Sequence, residues 1–161
     1  MKYLKKLFPI HLRDYFLRLQ YQITLMVALY SISTIRKKVK EYGKKINAPK
    51  KLLTIRGTTD GLGTPHIEIN EAGYHYVVSE RGSEFKRNTT KDLHTLLYWI
   101  LKDIVFKMAS EYELNHRKPE EDFRRLLFSK TLELFKKLDT QWYAWEKEDI
   151  ENLLKESPYE P

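Results

Sequence analysis

The sequence predicts an α+β fold with an N-terminal helix, a small antiparallel β-meander and three C-terminal helices packed on the sheet. Apolar residues recur every three to four positions before residue 50 and again after residue 90, which is the period of a helix with one buried face. Between these segments the apolar runs are short and separated by glycines, which is typical of strands joined by tight turns. With 161 residues, 42% of them hydrophobic, the chain is long and apolar enough to bury one core.

Residues 1–32 differ from the rest, and we predict that they form a poorly defined extension to a single domain over residues 33–161. Basic and apolar residues are mixed at the start, and an uncharged run follows over residues 19–35. This run contains several Gln, Ser and Thr residues and is shorter than the about 20 apolar residues of a membrane span. We therefore expect no membrane insertion, although residues 19–35 keep it open as an alternative. Met26 is an alternative start, so residues 1–25 are expected to contribute little to the fold.

The first helix is predicted to have Ser33 as its N-cap, because a serine hydroxyl can accept a hydrogen bond from a free N–H of the first turn. Asn47-Ala48-Pro49 is predicted to end it, since proline cannot continue a helix. Lysines and arginines would fill its outer face, and its buried face would hold Ile35, Val39, Tyr42 and Ile46.

Four strands are predicted in the glycine-punctuated segment, at Leu52–Arg56, His66–Asn70, Tyr74–Ser79 and Ser83–Arg87. The second of these alternates polar and apolar residues, as a strand with one buried face does. Glu71-Ala72-Gly73 then supplies a short turn into the next apolar run. The second and third strands are therefore predicted to form a hairpin.

A long core helix is predicted after these strands, capped by Thr89 or Thr90 and ending near Asn115. The helix after it is predicted to open at Pro119, because proline fits a first turn and the acids that follow complement the positive helix end. Its buried stripe would hold Phe123, Leu126, Leu127, Leu134, Phe135 and Leu138.

The last helix is predicted to be capped by Asp139 or Thr140. Its inward-facing residues would be Trp142, Trp145, Ile150, Leu153 and Leu154.

The net charge of +7 is unevenly distributed along the chain. Residues 1–50 carry twelve Lys and Arg against Asp14 and Glu41, a balance of +10, whereas residues 51–161 have a balance of −3. The most negative stretch is the C-terminal one, which includes Glu146, Glu148, Asp149 and Glu151. Because such a surface repels phosphates, we expect no nucleic-acid partner for the body of the protein.

The chain contains none of the motifs of the common catalytic and nucleotide-binding sites: no P-loop, G-x-G-x-x-G, G-x-S-x-G or H-E-x-x-H. It has no cysteine, which excludes disulfides, a thiolate nucleophile and a cysteine-based zinc site and fits a reducing cytoplasm. The four histidines after residue 50 are scattered over different predicted elements, so each is expected to have a structural role. We therefore predict a protein without catalytic activity, cofactor or metal.

Two groups of residues are candidates for contact with a protein partner. The first is the predicted turn over residues 79–84, because binding residues concentrate on loops that a rigid sheet positions. The second is the C-terminal helix, where tryptophans of the kind found at binding hot spots accompany the acidic stretch. The candidate residues are Glu80, Arg81, Glu84, Trp142, Trp145, Asp149 and Glu151.

Several segments, in this order and spacing, resemble the bacterial immunity protein 63 family, which is found beside polymorphic toxins. The resemblance runs from about residue 35 to residue 158, and residues 1–30 look unlike the family. It is carried by Gly43–Pro49, Pro65–Glu68, Tyr74–Val78 with Glu80–Gly82, Thr90–Leu93 with Leu96–Tyr98, Ser110–Leu114 with His116–Arg117, Asp122–Arg125, Trp142 and Leu154–Pro158. It implies a cytoplasmic protein that protects its producer by binding a cognate toxin.

Two other functions stay open from the sequence. One is a nucleic-acid-binding or regulatory protein that uses the basic N-terminal region, and the other is a small hydrolase without a recognised motif. A nucleic-acid binder would show a steep salt dependence of binding. The sequence gives neither the oligomeric state nor the identity of a toxin.

Overall fold

The computed structural model describes residues 29–160, and within them it confirms the predicted α+β fold. The elements in chain order are α1 (Ile32–Lys45), a 3₁₀ helix (Lys50–Leu53), β1 (His66–Asn70), β2 (Gly73–Glu80), β3 (Ser83–Thr90), α2 (Leu93–His116), α3 (Phe123–Leu138) and α4 (Thr140–Glu156). Helix α2 packs on the sheet, α3 packs on α2, and α4 packs on α3.

The three strands form an antiparallel sheet in the order β1-β2-β3. The predicted hairpin of β1 and β2 is confirmed, with Asn70 opposite Gly73. Gly73 has a φ of 135°, and a Cβ atom there would lie 2.4 Å from the carbonyl oxygen of Thr90 on β3. Only glycine fits this position, because the neighbouring strand comes too close for a side chain.

The prediction of a strand at Leu52–Arg56 is wrong. The first part of this segment lies in the 3₁₀ helix, and Arg56 alone makes an isolated bridge to His66. Leu53 is buried over Gly43 of α1, where its methyl carbons lie 2.5 and 2.8 Å from the position that a Cβ would take. A single tight turn after Pro49 thus buries the apolar run, which sequence alternation alone does not distinguish from a strand.

The first two helices begin at caps other than those predicted. Ser31, not Ser33, caps α1, and Asp92 caps α2 by accepting hydrogen bonds from two N–H groups of its first turn. Thr89 and Thr90 instead complete β3, where they pair with β2. Pairing with β2 keeps these threonines in the strand and so sets where α2 begins. Local capping preferences alone cannot predict this long-range pairing.

The cap of α3 is also corrected, since the helix begins after Asp122 and Pro119 lies in the preceding turn. Asp122 accepts from the backbone N–H of Arg124 and from its guanidinium, and it also accepts from the backbone N–H of Glu160. One carboxylate therefore caps α3 and fixes the C-terminal segment. The prediction of Asp139 as the cap of α4 is confirmed.

The core lies between the sheet, α1, α2 and the inner faces of α3 and α4. Trp142 is fully buried and stacks on His94 of α2 at a ring-centroid distance of 4.7 Å, with Tyr42 of α1 at 4.9 Å. Trp142 thus joins three helices.

The prediction that Phe123 and Leu153 face inward is wrong. Both side chains are about half exposed, because each residue lies near one end of its helix.

No helix among residues 29–160 is long and apolar enough to cross a membrane. Most of the uncharged run of residues 19–35 and all of residues 1–25 lie outside the described residues.

Candidate functional site

The candidate contact residues fall into two groups in the structure, at the β2–β3 hairpin tip and on α4. Arg81 and Gly82 form the hairpin turn, and both have positive φ angles, 49° and 83°, as a two-residue type I′ turn requires. The predicted turn is therefore present, with Glu80 and Glu84 on the strands that flank it.

The hairpin tip (residues 79–85 together with residues 59–63) is braced by the loop that precedes β1. Gly63 donates its N–H to the Ser79 carbonyl at 3.1 Å, and the Arg81 N–H donates to Gly61 at 3.1 Å. The Ser79 hydroxyl also donates to Thr59 at 2.9 Å. These bonds extend the sheet beyond β1, so the turn is presented on three neighbouring segments.

Two large apolar side chains are exposed at this tip, and the sequence reasoning did not identify either as a candidate. Leu62 is 79% exposed beside Glu80, with which it forms a bridge. Phe85 is 69% exposed and lies at a β-bulge, because Glu84 pairs with Ser79 while Lys86 pairs with Val78. Each could have been identified from the sequence as a single large apolar residue in an otherwise polar segment that contains glycine.

The charges at the tip are mixed. Glu84 receives a bidentate hydrogen bond from Arg87, which also bonds Glu68 at 2.7 Å, so hydrogen bonding lowers the pKa of both carboxyl groups. Glu80 lies 3.6 Å from the guanidinium of Arg81, whose side chain is almost fully exposed. The tip therefore presents paired charges around exposed apolar groups.

On α4 the structure corrects two expectations. Trp142 is fully buried, so its side chain offers no surface to a partner, and the packing of α4 on the core explains this. Glu146, expected on an acidic surface, is buried and accepts from the Tyr98 hydroxyl and from Lys102, both at 2.9 Å. Trp145 is half-buried, with its ring against Tyr98.

Asp149 and Glu151 of α4 are exposed but paired, whereas the exposed Glu148 and Glu156 form no ion pair with any of residues 29–160. Asp149 lies 2.8 Å from Lys102, and Glu151 lies 3.5 Å from Lys147. The α4 surface is accordingly less negative than its sequence suggests, because cations of α2 and of α4 itself lie beside these acids.

A cleft of about 260 Å³ lies between the two groups, across the exposed face of α2. Lys86 of β3, next to Phe85, lines one part of it, and Glu146 of α4, one turn before Asp149, lines another. The full lining is Tyr76, Lys86, Trp99, Lys102, Asp103, Phe106, Thr131 and Glu146. The fold thus forms a concave surface between β3 and α4, which we call the α2 cleft.

The centre of the α2 cleft combines a carboxylate with aromatic side chains. The Tyr76 hydroxyl donates to Asp103, and no Lys, Arg or His within residues 29–160 lies at salt-bridge distance from that carboxylate. Phe106 is 55% exposed, and Trp99, about two helical turns earlier on α2, is half-buried. The sequence analysis did not identify Phe106, although its position off the buried stripe of α2 could have indicated that it is exposed.

Tyr76 and Lys102 of the α2 cleft, and the neighbouring Tyr98, are held in their protonated forms. Burial and the neighbouring Asp103 carboxylate raise the pKa of Tyr76. Burial and Glu146 likewise raise the pKa of Tyr98. Burial disfavours charged Lys102, but its hydrogen bonds to Asp149 and Glu146 outweigh this and raise its pKa. A general base or nucleophile would need a pKa moved toward neutrality, and these shifts go the other way.

The histidines of the described residues have local packing or hydrogen-bond partners. His75 bonds Thr89 and Asn70 through its two ring nitrogens, both at 2.8 Å. His94 stacks on Trp142, and His116 bonds the Tyr112 carbonyl. Within residues 29–160 no group of three or more His, Asp and Glu side chains could hold a metal ion.

Comparison with protein families gives a match over the second half of the fold. The model of the family described as immunity protein 63 matches residues 70–152, just over half of the 161 residues. The matched range runs from the end of β1 into α4 and so includes the β2–β3 turn and every residue that lines the α2 cleft. No curated protein and no solved structure matches the chain.

Proposed function

The chain belongs to the immunity protein 63 family, and from this premise we propose that it protects a bacterial cell by binding and neutralising a cognate toxin in the cytoplasm. The family match is the observation that carries the proposal. Neutralisation would be stoichiometric, with one molecule of this chain occupying one toxin molecule, and it needs no reaction at the contact surface.

A binding role fits the chemistry of the α2 cleft better than a hydrolytic one. Tyr76 and Lys102 of the cleft and the adjacent Tyr98 have raised pKa values, so at neutral pH they donate hydrogen bonds and do not accept protons. Asp103 is engaged by the Tyr76 hydroxyl, which fixes its orientation. Such fixed donors and acceptors favour recognition of a partner surface.

We propose that the toxin contacts the hairpin tip and the α2 cleft together. Exposed aromatic residues surrounded by polar ones are the usual composition of an interaction hot spot, and here Phe85 and Phe106 are the exposed aromatic residues. The proposed rim comprises Glu80, Arg81, Glu84, Trp145, Asp149 and Glu151. Trp142 is left out because it is buried.

Asp103 defines the preferred guest at the centre of this surface. A carboxylate without a cationic partner among the described residues, next to the rings of Trp99 and Phe106, suits an arginine or lysine side chain of the toxin. Lys102 does not compete for this role, since Glu146 and Asp149 already neutralise it. Charged rim residues would mainly raise the rate of association.

The test is a protection assay in which the polypeptide encoded beside this gene is co-expressed with variants of the chain. Phe85→Ala is compared with Leu114→Ala, because Phe85 and Leu114 are 69% and 66% exposed and Leu114 lies near the end of α2, outside the cleft lining. We expect Phe85→Ala to weaken toxin binding by about 1–3 kcal/mol, as hot-spot truncation does, and Leu114→Ala to leave it unchanged.

Asp103→Asn supplies a second variant for this assay, because it keeps the size of the side chain and removes its charge. We expect it to raise the toxin dissociation rate with little change in the unfolding free energy. Protection that survives both Phe85→Ala and Asp103→Asn would place the interface elsewhere. Absence of any protection by the unaltered chain would contradict the proposed function itself.

A further inference from the structure

A second concave surface, lined by positively charged side chains, lies between α1 and the segment that follows it. Arg36, Lys40 and Lys44 succeed one another at intervals of four residues on one face of α1, and Lys50 faces them from the 3₁₀ helix. Together they surround a cavity of about 1020 Å³, which we call the basic groove. It shares no lining residue with the α2 cleft.

The floor of the basic groove is aliphatic. Ala48, Leu53 and Ile55 supply apolar surface, while Asn47 and Thr54 add neutral polar groups. Among the described residues that line it there is no acid and no aromatic ring. Four cations therefore lie around an apolar strip.

No ion pair within residues 29–160 accounts for the three lysines of the groove. Lys40, Lys44 and Lys50 form no ion pair with any of residues 29–160, and Arg36 donates its Nε–H to the Ile55 carbonyl at 2.9 Å. Like charges one helical turn apart destabilise a helix. An anionic ligand would remove this repulsion, and its binding would be strengthened by every one of the four side chains.

We propose that the basic groove binds an acidic, amphipathic polypeptide segment of a partner, with carboxylates at the lysines and apolar side chains on the aliphatic floor. Nucleic acid suits the groove less well, because single-stranded binding sites use aromatic side chains on which bases stack. Residues 1–28 of this chain suit it less well too, since their five Lys and Arg against Asp14 repel the same cations. This surface is independent of toxin binding through the α2 cleft.

The experiment uses the full chain and fluorescently labelled probes in a binding titration at low salt. The first probe is a synthetic peptide of alternating glutamate pairs and leucines, and the second is the same peptide with glutamine in place of glutamate. The third is a single-stranded oligonucleotide of about ten nucleotides, a length that covers one typical binding site. We expect the acidic peptide alone to bind with measurable affinity.

A pair of double variants locates the binding. Lys40→Glu with Lys44→Glu changes the groove, whereas Lys37→Glu with Lys51→Glu changes the net charge equally at two exposed positions outside its lining. The groove variant should weaken binding of the acidic peptide at least about tenfold, which corresponds to about 1.4 kcal/mol, and the control variant less than threefold.

Four results would overturn the proposal. Equal weakening by both double variants would mean non-specific charge attraction, and equal binding of the glutamine peptide would remove the role of the lysines. Tighter binding of the oligonucleotide with the same variant dependence would assign the groove to nucleic acid. Self-association of the chain that the groove variant abolishes would assign it to a second copy, whose acidic α4 would be the ligand. Toxin protection is unaffected by any of these results, so the two proposals fail separately.

Discussion

Replacement of Trp142 separates a core role from a contact role for this residue. The side chain is fully buried, its ring stacks on His94 at 4.7 Å, and Tyr42 and Tyr98 lie at 4.9 and 6.5 Å. Truncation to alanine removes these contacts from three helices at once. Large-to-small changes of a buried aromatic residue cost about 3–5 kcal/mol, a large part of the about 5–15 kcal/mol that stabilises a domain.

Trp142→Phe should cost less than half as much. The indole N–H of Trp142 is buried and has no hydrogen-bond partner within residues 29–160, and an unpaired buried donor costs about 1–3 kcal/mol. Phenylalanine keeps one ring in the stack with His94 and removes that donor. The loss of packing and the loss of the unpaired N–H therefore partly cancel.

The assay is urea denaturation followed by circular dichroism, with Trp145→Ala as the control because Trp145 is half-buried on the same helix. We expect Trp142→Ala to lose the most unfolding free energy, and Trp142→Phe and Trp145→Ala to lose clearly less. An alanine variant at Trp142 that stays within about 1 kcal/mol of the unaltered chain and yet no longer binds the toxin would refute the core assignment.

Three further predictions follow from the structure. Gly73→Ala should lower the unfolding free energy by at least about 1–3 kcal/mol, measured by urea denaturation, because a side chain there meets the Thr90 carbonyl at a φ of 135°. Arg124 lowers the pKa of Asp122 below its unfolded value of about 3.9, so this carboxylate stabilises the fold above pH 4 and progressively less as the pH falls through its folded pKa. Asp122→Asn should thus flatten the pH dependence of stability below pH 4, and an unchanged slope would contradict this. Deletion of residues 1–25 should leave the thermal unfolding midpoint nearly unchanged, whereas a loss of several kcal/mol would make the extension part of the core.

Local patterns were sufficient for the elements whose structure is determined locally. Polar–apolar alternation over residues 66–69 and Gly73 identified the β1–β2 hairpin, and the helical period located α2 to within about two residues. The prediction of a strand at Leu52–Arg56 was wrong because two adjacent leucines can be buried by a 3₁₀ turn as well as by a strand. What decides between them is Gly43, which leaves room for Leu53 on α1.

Much of the candidate contact surface depends on tertiary structure. The turn at Arg81-Gly82 was predictable because Gly82 suits a positive φ angle and the segment around it is polar. The α2 cleft was not, since Tyr76 and Asp103 are 27 positions apart and meet only when α2 packs on the sheet. Burial of Trp142 and Glu146 likewise depends on how α4 lies on its neighbours, which no pattern within α4 specifies.

The basic groove shows the same dependence on packing. The sequence placed lysines and arginines on the outer face of the first helix, and the structure confirms their exposure. Lys50 faces these side chains across an aliphatic floor because the 3₁₀ helix turns the chain there. The sequence had instead predicted a strand from Leu52 onward. A charged helix face thus became a concave surface only through a local turn.

The stoichiometry of toxin inhibition tests the proposed function most directly. The polypeptide encoded beside this gene would be titrated with the purified chain, with complex formation followed by isothermal titration calorimetry and residual toxin activity measured in parallel. We predict a one-to-one complex and loss of toxin activity that is complete at about one equivalent, as expected for tight protein–protein inhibition. Inactivation of many toxin molecules by each molecule of this chain would instead reveal catalysis, and an absence of heat and of inhibition would contradict the immunity function.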